Sequence, residues 1–142
     1  MLVLALSVLG IAVFCAAFVM VTVRGDSMSP TLRAGDRVLV LRRWVDRRPR
    51  RDDVVIARPP LPGGAQLWIK RVRAVTGDRA VGLDPHTGLD REFLLTDRET
   101  FLVGDHEAGS FDSRQYGAIS IDDIIGRVVH HFRSRPGVTG TG

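Results

Sequence analysis

Two side chains in this sequence are suited to act together: a serine in a turn-rich loop and a lysine without a counterpart. Of the twenty basic side chains nineteen are arginine, and Lys70 is the one lysine. A guanidinium stays protonated in proteins, whereas a desolvated ammonium can lose its proton and later accept another. Ser27 lies in the run Gly25-Asp26-Ser27-Met28-Ser29-Pro30-Thr31-Leu32. A hydroxyl needs a base to become a nucleophile, and Ser-Lys pairs are one variant of the Ser-His-Asp arrangement. Arginine-favouring codon usage would also leave a lone lysine, but it would not choose its surroundings. With the period of two of a strand, Lys70 shares a face with Trp68, Val72 and Ala74, while Arg71 and Arg73 point the other way. The amine thus falls on an apolar face, where burial disfavours its charged form.

The elements that must hold these groups follow from the hydropathy pattern. Residues 2–23 carry no charge and would span roughly 33 Å as one helix, enough to cross a hydrocarbon core. A cleavable leader would need a basic start and a shorter apolar stretch, so a retained transmembrane anchor over 1–23 is expected. Beyond it, short β-branched segments alternate with turn residues. Strands are expected at 37–45, 54–57, 67–75, 92–95, 100–103 and 124–132. Turns or loops are expected at 35–36, 59–64, 76–78 and 85–88. No long helical period follows the anchor. The expected fold is mainly β: an antiparallel sandwich or partly open barrel over 24–132, ending in a disordered tail over 133–142.

Composition narrows the chemistry further. The single cysteine, Cys15, sits in the apolar run, so neither an intramolecular disulfide nor a cysteine-based metal motif is available. The four histidines lack HExxH spacing, and the adjacent His130 and His131 would point to opposite faces of a strand. No cofactor and no metal are expected. The net charge of +4 owes much to residues 42–53, where Arg42, Arg43, Arg47, Arg48, Arg50 and Arg51 surround Trp44. Three readings fit that stretch: a nucleic-acid contact, a contact with anionic lipid headgroups, or a solvated loop. Scarce aromatics and no accompanying fold signature weigh against nucleic acid, and an adjoining anchor favours lipid.

The motifs carry a specific resemblance. The run from Gly25 to Leu32, followed by Gly35-Asp36, resembles the nucleophile box of type I signal peptidases, membrane-bound Ser-Lys leader peptidases. Ile69-Lys70-Arg71-Val72 with Gly77-Asp78 resembles the box of their general base. Gly104-Asp105-His106, then Ser110-Phe111-Asp112-Ser113-Arg114 and Gly117, is similar to their last box. The three stand in family order across about ninety residues.

The resemblance implies that Ser27 attacks the scissile carbonyl, while neutral Lys70 takes its proton and later passes it to the leaving amine. It implies that Ser110 orients that amine, although a turn-stabilising role also suits a serine beside Gly109. Asp112 and Arg114 would brace the site, with Gly104 and Asp105 in support. Met28, Gly25 and Trp68 would border the substrate pocket, with core packing as Met28's competing role. The chain departs from the family at two places. Gly25 stands where some members carry an oxyanion-binding serine, which would leave the Ser27 backbone N–H as donor; losing one such donor costs about 10²–10³ in rate. His106 replaces a usual asparagine, and either a weakened turn bond or an added pH dependence would follow.

The implied substrates are preproteins bearing signal peptides with small residues at the first and third positions before the cut. Membrane lipid and the secretion translocon are the implied partners, with no nucleic acid. Counting the charges that flank the span would place the following domain in the cytoplasm, whereas the resemblance implies a single-pass protein of the cell membrane with its catalytic domain on the extracytoplasmic face. Two alternatives belong to other classes. One is a Ser-Lys autopeptidase like the SOS repressors, against which the anchor and the missing helix-turn-helix speak. The other is a non-catalytic, membrane-tethered β module that retains the motifs.

Overall fold

The computed structural model describes residues 1–46, 48–61, 66–84 and 86–134, so the expected tail beyond Ser134 and parts of the 59–64 and 85–88 turns lie outside the described residues. The apolar run is not one helix. Helix α1 occupies Leu2–Ala17, and the chain then extends into strand β1, Phe18–Thr22. Two forces divide the run. Val19, Val21 and Thr22 are β-branched and favour extended backbone. The edge of β2 (Arg37–Arg42) also offers a ladder, with Phe18 opposite Leu41 and Thr22 opposite Arg37. At about 24 Å, α1 falls short of the expected 33 Å, and no helix among the described residues is long and apolar enough to cross a membrane.

The remaining elements are β3 (Val54–Ala57), β4 (Trp68–Val75), β5 (Arg79–Leu83), β6 (Asp90–Leu94), β7 (Glu99–Val103), α2 (Ser113–Tyr116), β8 (Ile119–Ser120) and β9 (Ile124–Phe132). Short 3-10 turns sit at Glu107–Gly109 and Ile121–Asp123. The expectation of a mainly antiparallel β domain holds. A seven-stranded sheet runs β1-β2-β9-β3-β4-β7-β8, and β5 and β6 form a separate ribbon. Strand β2 ends at Arg42, short of the expected 45, because the Val45 N–H closes a turn onto the Arg42 carbonyl. Strands β1, β5 and β8 are not expected from the pattern; β8 has only two residues and β5 alternates exposed Arg79 and Val81 with buried Ala80 and Gly82.

The alternation expected in β4 is present. Trp68, Lys70, Val72 and Ala74 are buried, while Arg73 is exposed and Arg71 half-buried. Consecutive residues of β3 are buried too, and they divide between two cores, so both faces of the sheet are covered there. Val55 and Ala57 pack with Trp68, Val72, Leu102, Ile119 and Ile124. Ile56 packs with Val23, Met28, Leu32, Val38 and Val40. Lys70 stands opposite Val55 in the middle of this arrangement and is buried there.

Candidate functional site

The loop between β1 and β2 carries Ser27, and hydrogen bonds close it at both ends. The Val23 N–H donates to the Asp36 carbonyl (2.8 Å) and the Gly35 N–H to the Val23 carbonyl (3.0 Å). Within the loop Met28 and Leu32 are sunk into the core at 1% and 3% exposure, while Ser27, next to Met28, is half-buried. Met28 is therefore a core residue that also borders the groove described below. Gly25 holds φ at +73°, in the left-handed region that glycine enters at little cost, and no atom stands where its Cβ would be. Backbone conformation is the reason for glycine here.

Asp36 secures the far end of the loop. Its carboxylate accepts the Arg33 N–H (3.0 Å) and the Ser134 N–H (2.8 Å) and meets His131 Nε2 (2.7 Å). The Arg33 and Ser134 N–H groups, aided by His131, hold its pKa down at about 2 against burial.

Lys70 is 4% exposed. Its Nζ donates to Ser110 Oγ at 2.7 Å and lies 5.7 Å from the centre of the Trp68 ring. Ser110 Oγ in turn donates to Asp112 Oδ2 at 2.5 Å. A hydroxyl has one proton. Since Asp112 claims it, Ser110 can only accept from Lys70, and one N–H of the amine is fixed toward Ser110. Burial lowers the Lys70 pKa; Asp112 opposes that shift and Arg114 reinforces it.

Asp112 is wholly buried and fully partnered. It caps α2 through the Arg114 N–H (3.1 Å), with a capping box completed by Gln115. Its oxygens also accept the Gly104 N–H (2.8 Å) and a two-point contact from Arg114, Nε at 3.0 Å and Nη2 at 2.8 Å. Burial alone would raise its pKa, but the Arg114 guanidinium, the Gly104 N–H and Ser110 together hold it below the usual value of 3.8.

Gly104 is where the nucleophile box and the last box meet. A Cβ on it would overlap Ser110 Oγ and the Ser27 carbonyl oxygen, so only glycine allows these two segments to close on each other. The next residues add a second fastening: the His106 N–H donates to the Ser27 carbonyl (3.0 Å). The turn bond at the unusual histidine is therefore made by its backbone. Asp105 faces away from Lys70 and forms a two-point pair with Arg71, at 2.8 and 2.7 Å. That pair, with a hydrogen bond from the Thr31 side chain, lowers the Asp105 pKa and joins the serine loop to β4.

Residue spacing does not disclose three supporting side chains. In the sequence Arg71 is a polar-face residue and box member with no role of its own, His131 only a non-ligand, and Ser113 only part of a motif. Ser113 is wholly buried and accepts the Leu102 N–H at 2.9 Å. Phe111 likewise carries no assigned role in the sequence; it is 56% exposed and stands edge-on to Trp68. Each acts through a partner distant along the chain, which leaves no local signal.

Ser27, Lys70, Met28, Gly25 and Trp68 all line one open groove of about 830 Å³, bounded by residues 20–25 on one side and 66–70 on the other. Strand β1 is the outer strand of its sheet, so one of its edges is unpaired. On β4, pairing with β7 begins only at Arg71, so residues 68–70 also keep a free edge. Two unpaired strand edges thus flank an apolar trough that contains a hydroxyl and a buried amine.

Comparison with known proteins gives the family of this β-sheet protein. The model of the family "Signal peptidase, peptidase S26" matches residues 1–84 and 82–132. The chain is 32% identical over 117 residues to mitochondrial inner membrane protease subunit 2 of Danio rerio, covering 76% of this chain and 60% of that one. It is 30% identical over 115 residues to mitochondrial inner membrane protease subunit 1 of Schizosaccharomyces pombe, covering 79% and 71%. It is 27% identical over 138 residues to signal peptidase I of Bacillus caldolyticus, covering 75% and 74%. The chain belongs to the signal peptidase family, peptidase S26. It spans 37% of a thylakoidal processing peptidase of Arabidopsis thaliana and 60% of the Danio protein, so it matches only part of the length of some relatives.

Proposed function

We propose that this chain is a membrane-anchored serine endopeptidase that removes signal peptides from exported preproteins, with Ser27 as nucleophile and neutral Lys70 as general base. The observation that carries this reading is the amine itself: the only lysine, 4% exposed, with its pKa lowered by burial and one N–H tied to Ser110. With that hydrogen committed, the remaining valences of a neutral amine, including its lone pair, are free to turn into the groove that Ser27 also lines. Lys70 would take the Ser27 proton as Oγ attacks the carbonyl, then deliver it to the departing amine. Among the described residues the Ser27 N–H has no protein acceptor, so it is free to donate to the developing oxyanion. Asp112 and Arg114 touch no substrate in this scheme; they hold Ser110.

An extended peptide would lie between the free edges of β1 and β4 and complete their hydrogen bonding. The trough beneath it is floored by Met28, Ile56 and Trp68, which leaves shallow space for small side chains beside the cut. Such a substrate is the signal-peptide end of a preprotein emerging from the translocon.

Membrane attachment rests on α1. Val3, Leu4, Leu6, Val8, Leu9, Ile11, Val13 and Phe14 are all more than half exposed, and the domain covers none of them. A helix apolar on every side calls for lipid. Its 24 Å is shorter than a hydrocarbon core of about 30 Å, a mismatch that local thinning of the bilayer accommodates. The domain following it, roughly from residue 24 to 132, would stand on the extracytoplasmic face of a single-pass protein.

The test is cleavage of a preprotein by the detergent-solubilised chain, beside Ser27→Ala and Lys70→Arg, with the junction read by mass spectrometry. Both variants should be inactive. The arginine variant retains a charge and loses only the capacity to be neutral, so turnover by it would eliminate Lys70 as base. Protease added outside intact spheroplasts should digest the domain, and full protection would reverse the orientation.

A further inference from the structure

One exposed feature plays no part in the groove. Strand β2 ends at Arg42, and the chain turns at once, the Val45 N–H donating to the Arg42 carbonyl. Trp44 and Val45 project from this turn at 56% and 47% exposure, an unfavourable place for an indole surrounded by water. The turn is firmly held from behind. Arg43 points inward to the Ile121 carbonyl (3.0 Å) and Asp122 (2.8 Å), and Asp46 pairs with Arg127 at 3.0 Å. The nearby carboxylate is thus neutralised. Arg42 and Arg48 are exposed and have no ion-pair partner among the described residues. A fixed turn that presents an indole and an isopropyl group between two free guanidiniums is not what solvation alone would select.

Register shows what this turn adjoins. Phe18, the first residue after α1, is the Cα partner of Leu41, three residues before Trp44. The turn therefore lies within about 15 Å of the base of the apolar helix. We propose that the Trp44–Val45 turn, with Arg42 and Arg48, seats on the anionic lipid surface beside α1 and gives the domain a second fixed point on the bilayer. The proposal rests on the membrane reading of α1 given above. Tryptophan favours the headgroup level, and arginines there gain from anionic lipid. One helix lets the domain swivel about its axis; two attachments fix which way the groove faces.

The test uses the full chain carrying Trp68→Phe, which leaves Trp44 as the only indole, reconstituted in vesicles of phosphatidylcholine and phosphatidylglycerol. Trp44 emission should shift to the blue relative to detergent, be quenched by lipids brominated on the acyl chains and resist aqueous iodide. A chain that sediments with the vesicles while Trp44 stays open to iodide and untouched by bromolipid overturns this proposal and leaves the anchor standing. A chain that does not sediment with them overturns both. The functional arm compares the parent chain with Trp44→Asp/Arg42→Gln. Processing of a preprotein held in the same vesicles should fall by at least about fivefold, the share of the one arginine, with cleavage of a water-soluble peptide unchanged. Equal falls on the two substrates would mean that the turn serves folding alone, and the proposal fails.

Discussion

Replacing Ser110 by alanine tests the arrangement at its most constrained point. The hydroxyl is 7% exposed and sits between Lys70 Nζ at 2.7 Å and Asp112 Oδ2 at 2.5 Å. Asp112 Oδ2 would still accept from the Gly104 N–H and from Arg114 Nη2, so it is not stranded. Lys70 Nζ has no other hydrogen-bond acceptor among the described residues and is 4% exposed, so the amine bears the loss. A buried donor left without a partner costs about 1–3 kcal/mol. For a domain of this size each kcal/mol corresponds to about 4 °C, so the melting temperature should fall by about 4–12 °C. The amine also loses what fixes its direction, and a misplacement of about 1 Å costs on the order of 10² in rate. Because Ser110 does not line the groove, KM should change little while kcat carries the loss. Thermal unfolding and preprotein cleavage by Ser110→Ala read both quantities. A variant that melts within about 1 °C of the parent and cleaves within about twofold of it would refute the chain of bonds from Asp112 through Ser110 to Lys70.

Other perturbations reach the same groups from different sides. For Lys70, whose folded pKa lies below 10.5, the folded state binds fewer protons than the unfolded state between those two values, so stability rises with pH across that window. The acid limb of kcat/KM should rise through the folded value, and Lys70→Met should abolish activity while removing that slope from melting curves measured across pH. Asp112→Ala takes the wholly buried carboxylate from a half-buried Arg114 and leaves the buried Gly104 N–H without its acceptor, which should cost about 1–3 kcal/mol in denaturant unfolding. The Asp112 carboxyl, held below 3.8, contributes stability that is lost as pH falls through its folded value, and Asp112→Asn should lack that component of acid unfolding. Gly104→Ala places a methyl group on Ser110 Oγ and the Ser27 carbonyl oxygen; overpacking of about 1–3 kcal/mol should accompany a loss of activity of at least about 10², measured on the same preprotein.

Much of the site is legible in the sequence because its parts are local. Lys70 stands out by residue type, and the period-two pattern of 68–74 foretells its burial without any tertiary contact. The pairing of Asp112 with Arg114 spans two residues and needs only a helix cap. Strands β3 and β9 are recovered at their observed limits because turn residues bound their β-branched runs. The apolar stretch misleads for a related reason. Hydropathy reports that 2–23 avoids water and is silent on whether lipid or a neighbouring strand receives it.

Residue types and their spacing settle the chemistry on offer: a serine hydroxyl in a turn-rich loop, one titratable amine on an apolar face, and motifs in family order. Folding settles how far that amine is desolvated, through the segments packed around it, and which of its hydrogens is tethered, through Ser110, forty positions away. Folding also sets Arg71 on Asp105 and His131 on Asp36, and divides the apolar run where β2 supplies an edge. Strand period and turn chemistry act between near neighbours and can be read along the chain. Burial and long-range hydrogen bonds are properties of segments that meet only after folding.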